Sequence, residues 1–232
     1  MARLLEHLDP AVVRARLAEA ESRVARACER AGRAPDAVEI LAATKYVPAE
    51  ALGSLADAGV RLVGENTAAA LEQKQELWRD RFTWDFIGHL QSRKTKAVLP
   101  RVRLIHSVAS DSVLRQIERH AVEPARVLLE VNVAGEESKS GVSPAEADRF
   151  LETAAQYDRV RFAGLMTMPP LVAEPEEARR WFAALRELSQ KLSERWSPRH
   201  EFSILSMGTS QDFEVAVEEG ATICRLGTTL YR

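Results

Sequence analysis

The sequence has little cysteine and no long hydrophobic run. Cys28 and Cys224 are the only cysteines among its 232 residues, and two scattered thiols form neither a disulfide framework nor a set of metal ligands. We expect both to be buried thiols and predict no metal site. No segment approaches the roughly 20 apolar residues of a membrane span, and the N-terminus lacks the apolar segment of a signal peptide. A cytoplasmic protein without a membrane partner is expected.

The sequence also lacks an excess of charge of either sign. Its 32 Lys and Arg against 34 Asp and Glu give a net charge of -2, so no broad positive field would attract nucleic acid or an anionic membrane. An anionic ligand would need a local site. Because no linker or low-complexity tract divides the chain, we expect one domain over residues 1–232.

What the sequence does contain is an alternation of helical patterns and short apolar runs. The first helical pattern starts after Asp9, with Pro10 in its first turn, and is followed by a buried strand. The strand-like runs lie at 38–43, 61–64, 84–87, 103–107, 126–133, 160–166, 202–206 and 222–226. Strands separated by helices pair in parallel, because a parallel pair needs a crossover. The pattern predicts an α/β fold, a single (β/α)8 barrel with an additional N-terminal helix.

An open doubly wound sheet is the alternative fold. It would place a glycine-rich phosphate turn after the first strand, but that strand is followed here by the residues Thr-Lys-Tyr-Val-Pro at 44–48. A helix ahead of the first strand also suits a barrel, where it can pack outside the last strand. We therefore favour the barrel.

Polar residues stand at the ends of the predicted strands, where barrels of this type carry their active sites. Lys45 ends the first strand and should point into the barrel mouth, where partial desolvation would favour the neutral amine that forms a Schiff base. It could instead be a simple anion contact. The other strand-end residues are Asn66, His89, Ser107, Asn132, Thr167, Ser206 and Arg225.

The loops after the seventh and eighth strands form a candidate phosphate site. Residues 206–210 and 227–229 are small or carry hydroxyls, so that backbone N–H groups can approach an anion. Ser210 could alternatively cap the next helix. Arg225 lies between the two loops and could contact a ligand or form a salt bridge across the mouth.

Two histidines and one loop lysine need separate treatment. His89 and His106 lack the spacing of metal ligands, and we expect core or wall roles for them. The polar, glycine-flanked segment 135–141 is typical of a mobile loop over the mouth. Its Lys139 could be a second amine near the ligand, although a solvated loop lysine is the preferred interpretation.

The whole set of segments resembles the pyridoxal-phosphate homeostasis protein family, which has the alanine-racemase-like barrel. The matching segments follow one another from the first strand to the C-terminus. They are Ala43-Thr44-Lys45, Gly64-Glu65-Asn66, residues 86–92, Ile105-His106-Ser107, residues 131–133, 135–141 and 164–170, Leu205-Ser206-Met207-Gly208, Asp212-Phe213-Glu214 and Arg225-Leu226-Gly227-Thr228.

The resemblance implies pyridoxal 5′-phosphate (PLP) as the cofactor. Lys45 would hold it as a Schiff base, Arg225 would face its pyridine nitrogen, and the hydroxyl and glycine residues of the two loops would bind its phosphate. The cofactor-binding residues implied in this way are Lys45, Asn66, Ser206, Ser210, Arg225, Gly227 and Thr228.

The resemblance further implies a carrier or buffer of PLP in the cell rather than a conventional enzyme, with no catalytic residues. Arginine remains a charged donor, so that Arg225 would favour an unprotonated pyridine and weaken its electron withdrawal. The chain ends at Arg232, directly after the last strand. We therefore expect the barrel without the C-terminal β domain of racemases, a monomer, and PLP-dependent apo-enzymes as recipients.

Two alternative functions stay open. A small PLP-dependent amino-acid racemase could work from the barrel alone, with Lys45 and a second base that the sequence does not reveal. A phosphate-sugar barrel enzyme without PLP would use Lys45 only as an anion contact. The first predicts exchange of the substrate α-proton, and the second predicts a colourless protein.

Overall fold

Eight parallel strands close into a barrel in the order in which they occur in the chain, with the first strand paired to the last. The computed structural model describes residues 8–136 and 139–231. The strands are β1 (Glu39–Ala43), β2 (Leu62–Glu65), β3 (Thr83–Phe86), β4 (Leu104–Val108), β5 (Ala125–Glu130), β6 (Val160–Met166), β7 (Ile204–Ser206) and β8 (Ile223–Leu226). This closure confirms the predicted barrel and excludes the open sheet.

Helices connect successive strands on the outside of the barrel. They are α1 (Pro10–Arg30), α2 (Leu52–Ala58), α3 (Ala68–Trp78), α4 (Thr95–Val98), α5 (Asp111–His120), α6 (Ala147–Ala154), α7 (Arg179–Trp196), α8 (Phe213–Glu218) and α9 (Thr228–Tyr231). The predicted N-terminal helix is α1, which packs against α2, α8 and α9. Asp9 caps it, since its Oδ1 accepts the N–H of Ala11 at 2.8 Å, a contact that satisfies one of the free donors at a helix start.

Apolar side chains form one core outside the sheet and another inside it. The outer core lies between strands and helices and includes Phe86, Phe162 and Phe182. The inner core fills the barrel with smaller residues, namely Leu41, Leu62, Leu104, Leu128, Ala163, Met166 and Ile223. Burying apolar surface on both faces of every strand explains why the strands are apolar runs rather than alternating ones.

The inner core also fixes which residues reach the barrel mouth. Side chains alternate between the two faces of a strand, so residues two positions after an inner-core residue point into the barrel again. Leu128 is followed by Glu130 in this way, and Ile223 by Arg225. The carboxyl ends of β5 and β8 therefore present charged side chains to the mouth.

No helix in the described part of the chain is both long enough and apolar enough to cross a membrane.

Candidate functional site

Lys45 lies at the rim of the mouth, two residues beyond the end of β1. It is exposed, and its Nζ lies 4.8 Å from the centroid of the Tyr46 ring. The sequence predicted a partly desolvated amine. That prediction is wrong, because Lys45 lies beyond the end of the strand and its side chain is exposed. The amine is instead accessible from solvent.

A buried ion pair fixes the backbone on either side of this lysine. Lys74 of α3 donates from Nζ to the carbonyl of Thr44 at 2.7 Å and forms a salt bridge with Glu65. The Thr44 hydroxyl donates to Glu65 Oε1 at 2.5 Å. Glu65 Oε2 accepts the backbone N–H of Asn66 at 3.2 Å. A buried pair with this many hydrogen bonds holds Lys45 and Asn66 in place, and sequence inspection missed it because Glu65 and Lys74 lie on different elements.

Asn66, directly after β2, has an unsatisfied side-chain oxygen. Within residues 8–136 and 139–231, its buried Oδ1 has no hydrogen-bond partner. The loop after β3 passes close to its backbone, where a Cβ added at Gly88 would lie 2.0 Å from the Asn66 carbonyl oxygen. Only glycine allows this approach. The neighbouring loop thereby confines Asn66.

Glu130, at the end of β5, is a site residue that the sequence analysis did not identify. Its Oε2 is likewise buried and lacks a partner among the described residues. Burial raises the pKa of this carboxyl group, whereas nearby His89 and Arg225 lower it. The sequence contained a signal, since a carboxylate at an inward position of an apolar strand needs a partner.

The two predicted phosphate loops meet through Ser210. Its Oγ accepts the backbone N–H groups of Gly227 and Thr229, each at 3.2 Å. Ser210 therefore links the loops after β7 and β8 instead of capping α8, and Asp212 accepts the N–H of Thr209 at 2.6 Å ahead of that helix. Thr228 is exposed beside this junction.

Arg225 is buried at the end of β8 and held by two acceptors. Its Nη1 donates to Ser206 Oγ at 2.5 Å and its Nη2 to the carbonyl of Thr167 at 2.8 Å. Burial lowers the pKa of the guanidinium to about 10, and the carboxylates of Asp212 and Glu130 counter part of this effect. The salt bridge across the mouth, one of the two roles that the sequence left open for Arg225, is not among these contacts, because both acceptors are neutral.

Ser206, at the end of β7, is bonded to other side chains inside the barrel. Its side chain is buried in the barrel, where its Oγ contacts Arg225 and, at 2.9 Å, Nδ1 of His106. The strand places the hydroxyl inside the barrel, below the loops that join at Ser210. The Ser206 hydroxyl therefore contacts Arg225 and His106, and its phosphate role stays a prediction.

Two further strand-end residues hold loops instead of facing the mouth. Ser107 donates to the carbonyl of Gly88 at 2.5 Å. The Asn132 side chain donates to the carbonyl of Glu136 at 2.8 Å and accepts the Glu136 N–H at 3.3 Å. These contacts tie both side chains to neighbouring loops, although the Ser107 oxygen can still accept and the Asn132 amide keeps a second N–H.

The segment 135–141 contacts loops on both sides of the mouth, although residues 137 and 138 lie outside the described part of the chain. Lys139 Nζ lies 2.7 Å from a Glu136 carboxylate oxygen and 3.2 Å from the carbonyl of Met168. Ser140 Oγ lies 3.5 Å from Nδ1 of His89. Lys139 is therefore engaged by the protein, and His89 is a wall residue. Among the described residues, no group of three or more His, Cys, Asp or Glu side chains could hold a metal.

The closed parallel barrel, with Lys45 after β1 and a buried Arg225 at the end of β8, belongs to the alanine-racemase class of barrel. The sequence model of the family described as alanine racemase, N-terminal domain, matches residues 15–232. Alanine racemase from Corynebacterium glutamicum has the same fold, with a TM-score of 0.73 at 18% identity over 100% of this chain and 64% of that chain.

More similar proteins narrow the class to one family. The pyridoxal phosphate homeostasis protein of Aquifex aeolicus (strain VF5) is 40% identical over 220 residues, which are 93% of this chain and 96% of that protein. The structure of PipY from Synechococcus elongatus PCC7942, with PLP bound, has a TM-score of 0.82 at 31% identity and covers 95% of this chain and 100% of its own. The chain belongs to the pyridoxal phosphate homeostasis protein family, and the resemblance noted in the sequence is confirmed.

Proposed function

We propose that this chain binds PLP as a Schiff base on Lys45 and acts as a carrier or buffer in the homeostasis of that cofactor. The observation that carries the proposal is the convergence of an accessible amine, a confined Asn66 and a buried Arg225 at one barrel mouth. The name of the Aquifex relative and the PLP bound in PipY support it. Bound PLP would supply an aldehyde that condenses with primary amines.

The residues of the mouth fit such a group. The Ser210 oxygen already accepts two N–H groups, so its own proton remains available for a phosphate oxygen. Gly227 leaves space there, since a Cβ would meet no atom closer than 3.9 Å.

The proposed carrier role rests on access and on Arg225. An exposed Lys45 can be reached by an incoming amine, which suits uptake and release more than a sealed reaction chamber. Arg225 would donate to the pyridine nitrogen and leave it unprotonated. We further propose that residues 1–232 act as one domain and as a monomer in the cytoplasm, with PLP-dependent apo-enzymes as recipients and without conventional turnover.

Absorption spectroscopy tests the Schiff base on Lys45. Purified wild type should develop a yellow absorption band when PLP is added, and Lys45→Ala should not. Lys139→Ala is the matched control, because it removes the other described lysine at the mouth and should keep the band. Borohydride reduction followed by peptide mass spectrometry should locate the adduct at Lys45. A colourless wild type would overturn the proposal and favour the phosphate-sugar enzyme.

One observation favours the racemase as a second candidate. β5 stands opposite β1 in the eight-stranded barrel, so that Glu130 and Lys45 approach the mouth from opposite walls, as two proton-transfer groups would. Loss of the α-deuteron from labelled amino acids tests this. The racemase requires steady exchange in wild type that Glu130→Gln abolishes, whereas the carrier requires little exchange in either protein.

A further inference from the structure

A continuous line of polar side chains crosses the interior of the barrel below the mouth. Arg225 Nη1 contacts Ser206 Oγ at 2.5 Å, Ser206 Oγ contacts His106 Nδ1 at 2.9 Å, and His106 Nε2 contacts Asp85 Oδ2 at 3.1 Å. All four residues are buried. Barrel interiors are normally filled by bulky aliphatic side chains, and buried polar groups destabilise a fold unless they are hydrogen-bonded. Four polar side chains that are hydrogen-bonded in sequence inside a barrel therefore need a physical explanation.

The chemistry of the groups sets the direction of each hydrogen bond. An ionised Asp85 can only accept, so the proton of a neutral His106 must be on Nε2. Burial is the largest influence on the pKa of His106 and lowers it; Arg225 and Arg103 lower it as well, while Asp85 raises it. Nδ1 of the neutral ring then accepts from the Ser206 hydroxyl, whose oxygen accepts from Arg225. Every donor points from Arg225 towards Asp85.

The line continues to solvent at the opposite end of the barrel. Arg103, which precedes β4, donates to Asp85 Oδ1 at 3.1 Å and Oδ2 at 2.8 Å. Its Nη1 contacts both carboxylate oxygens of Glu39, at 2.8 and 3.0 Å. The negative charge of Asp85 is thus balanced by Arg103. Arg225 keeps its positive charge unpaired in these contacts, because its partners Ser206 and Thr167 are neutral.

We propose that Ser206, His106 and Asp85 form a positioning relay that holds Arg225 as a fixed cationic donor towards an acceptor in the mouth. Under the proposed function, that acceptor is the lone pair of the pyridine nitrogen of PLP. Two N–H groups of Arg225 are used by Ser206 and Thr167, which leaves others of its five donors for that acceptor. The inference rests on the proposed function, because it assigns the relay to the pyridine nitrogen of PLP.

The free protein offers a first test that does not involve PLP. In 15N NMR spectra of full-length protein, His106 should be the neutral Nε2–H tautomer and should not titrate between about pH 5 and pH 8, the range in which an ordinary histidine changes charge. A titrating imidazole, or a proton on Nδ1, would overturn the relay whatever the protein binds.

The second test uses PLP labelled with 15N in its ring. In wild type, the ring nitrogen should show the chemical shift of an unprotonated pyridine that accepts a hydrogen bond. Ser206→Ala and His106→Leu should move that shift and weaken PLP binding about tenfold, as expected for the loss of a hydrogen bond to a charged group. His106→Gln is the matched control, since its amide keeps one donor and one acceptor and should stay near wild type.

The outcomes separate this inference from the proposed function. If wild type binds PLP and Ser206→Ala leaves both the shift and the affinity unchanged, the relay is overturned and the carrier stands. If wild type does not bind PLP, both are overturned. Ser206→Ala removes a single oxygen, so it keeps the test decisive even where His106→Leu fails to fold.

Discussion

The two ends of the barrel treat their polar side chains differently. At the amino-terminal end of the strands, which we call the floor, Arg103 is paired with Asp85 and Glu39. Arg33 there donates to the carbonyls of Val217 and Ala221 at 2.6 and 2.8 Å. At the mouth, by contrast, Asn66 and Glu130 bury oxygens that find no partner in the described ranges.

This difference separates side chains that are hydrogen-bonded within the fold from side chains with buried oxygens that are not. An unsatisfied buried polar group costs about 1–3 kcal/mol. Arg199 Nε and His200 Nε2, ahead of β7, are such groups on the floor side, so the contrast concerns the inward-facing carboxylates, with Asp85 paired at the floor and one oxygen of Glu130 without a partner among the described residues at the mouth. Barrel enzymes in general place their chemistry at the carboxyl ends of the strands and their stabilising contacts at the other end. Variants at the floor should therefore change stability most, and variants at the mouth should change ligand binding.

The largest effect is expected from Arg103→Ala at the floor. The change would leave Asp85, which is fully buried, without its cationic partner, and removal of one member of a buried pair costs about 3 kcal/mol or more. Urea denaturation followed by circular dichroism measures the loss. A floor variant that unfolds like wild type at pH 7 would contradict the comparison.

A smaller effect of opposite sign is expected from Glu130→Gln at the mouth. Burial raises the pKa of Glu130, so the folded state binds a proton more tightly than the unfolded one. The contribution of this group to stability is therefore present below its unfolded pKa and is lost as the pH rises through its folded pKa. Glutamine cannot ionise, and the variant should be stabilised at pH 7 by on the order of 1 kcal/mol, with less gain near pH 4.

Thermal denaturation of the free protein at the two pH values checks this prediction. Asn66→Asp is a useful counterpart, because it adds a carboxylate to the same mouth and should lower stability most at pH 7. If Glu130→Gln proves destabilising at pH 7, Glu130 has a structural partner after all, and the distinction between floor and mouth fails at β5.

The sequence predicted the strands well and the contacts among their side chains poorly. Continuous apolar runs mark strands that are buried on both faces, so all eight were located within a few residues of their observed bounds. Strand ends also indicated Lys45, Asn66 and Arg225. The alternation of side chains alone could not show that Ser206 faces inward. The apolar run predicted for this strand covers residues 202–206, whereas β7 itself has only three residues.

The contacts that the sequence did not predict are those between residues on different elements of the barrel. His106 contacts Ser206 and Asp85, which are 100 and 21 residues away, and nothing local in the sequence links them. Lys74 and Glu65 lie on different elements, and no sequence pattern indicated that they form a buried pair. Charged residues in apolar surroundings signal that partners exist, but only the closed barrel identifies them.

The smallest effect should come from Arg126→Ala, another arginine at the floor. Arg126 forms a salt bridge with Glu201 at 3.0 Å, but the two side chains are 45% and 61% exposed, and exposed pairs contribute about 0–1 kcal/mol. Denaturation in parallel with Arg103→Ala, at low and high salt, tests whether burial or charge pairing stabilises the floor. If burial decides, Arg126→Ala stays within about 0.5 kcal/mol of wild type, and added salt removes even that difference. Equal losses in both variants would instead mean that surface charges stabilise the floor. The buried contact of Arg103 with Asp85, where the polar line to Arg225 begins, would then contribute no more than an exposed ion pair.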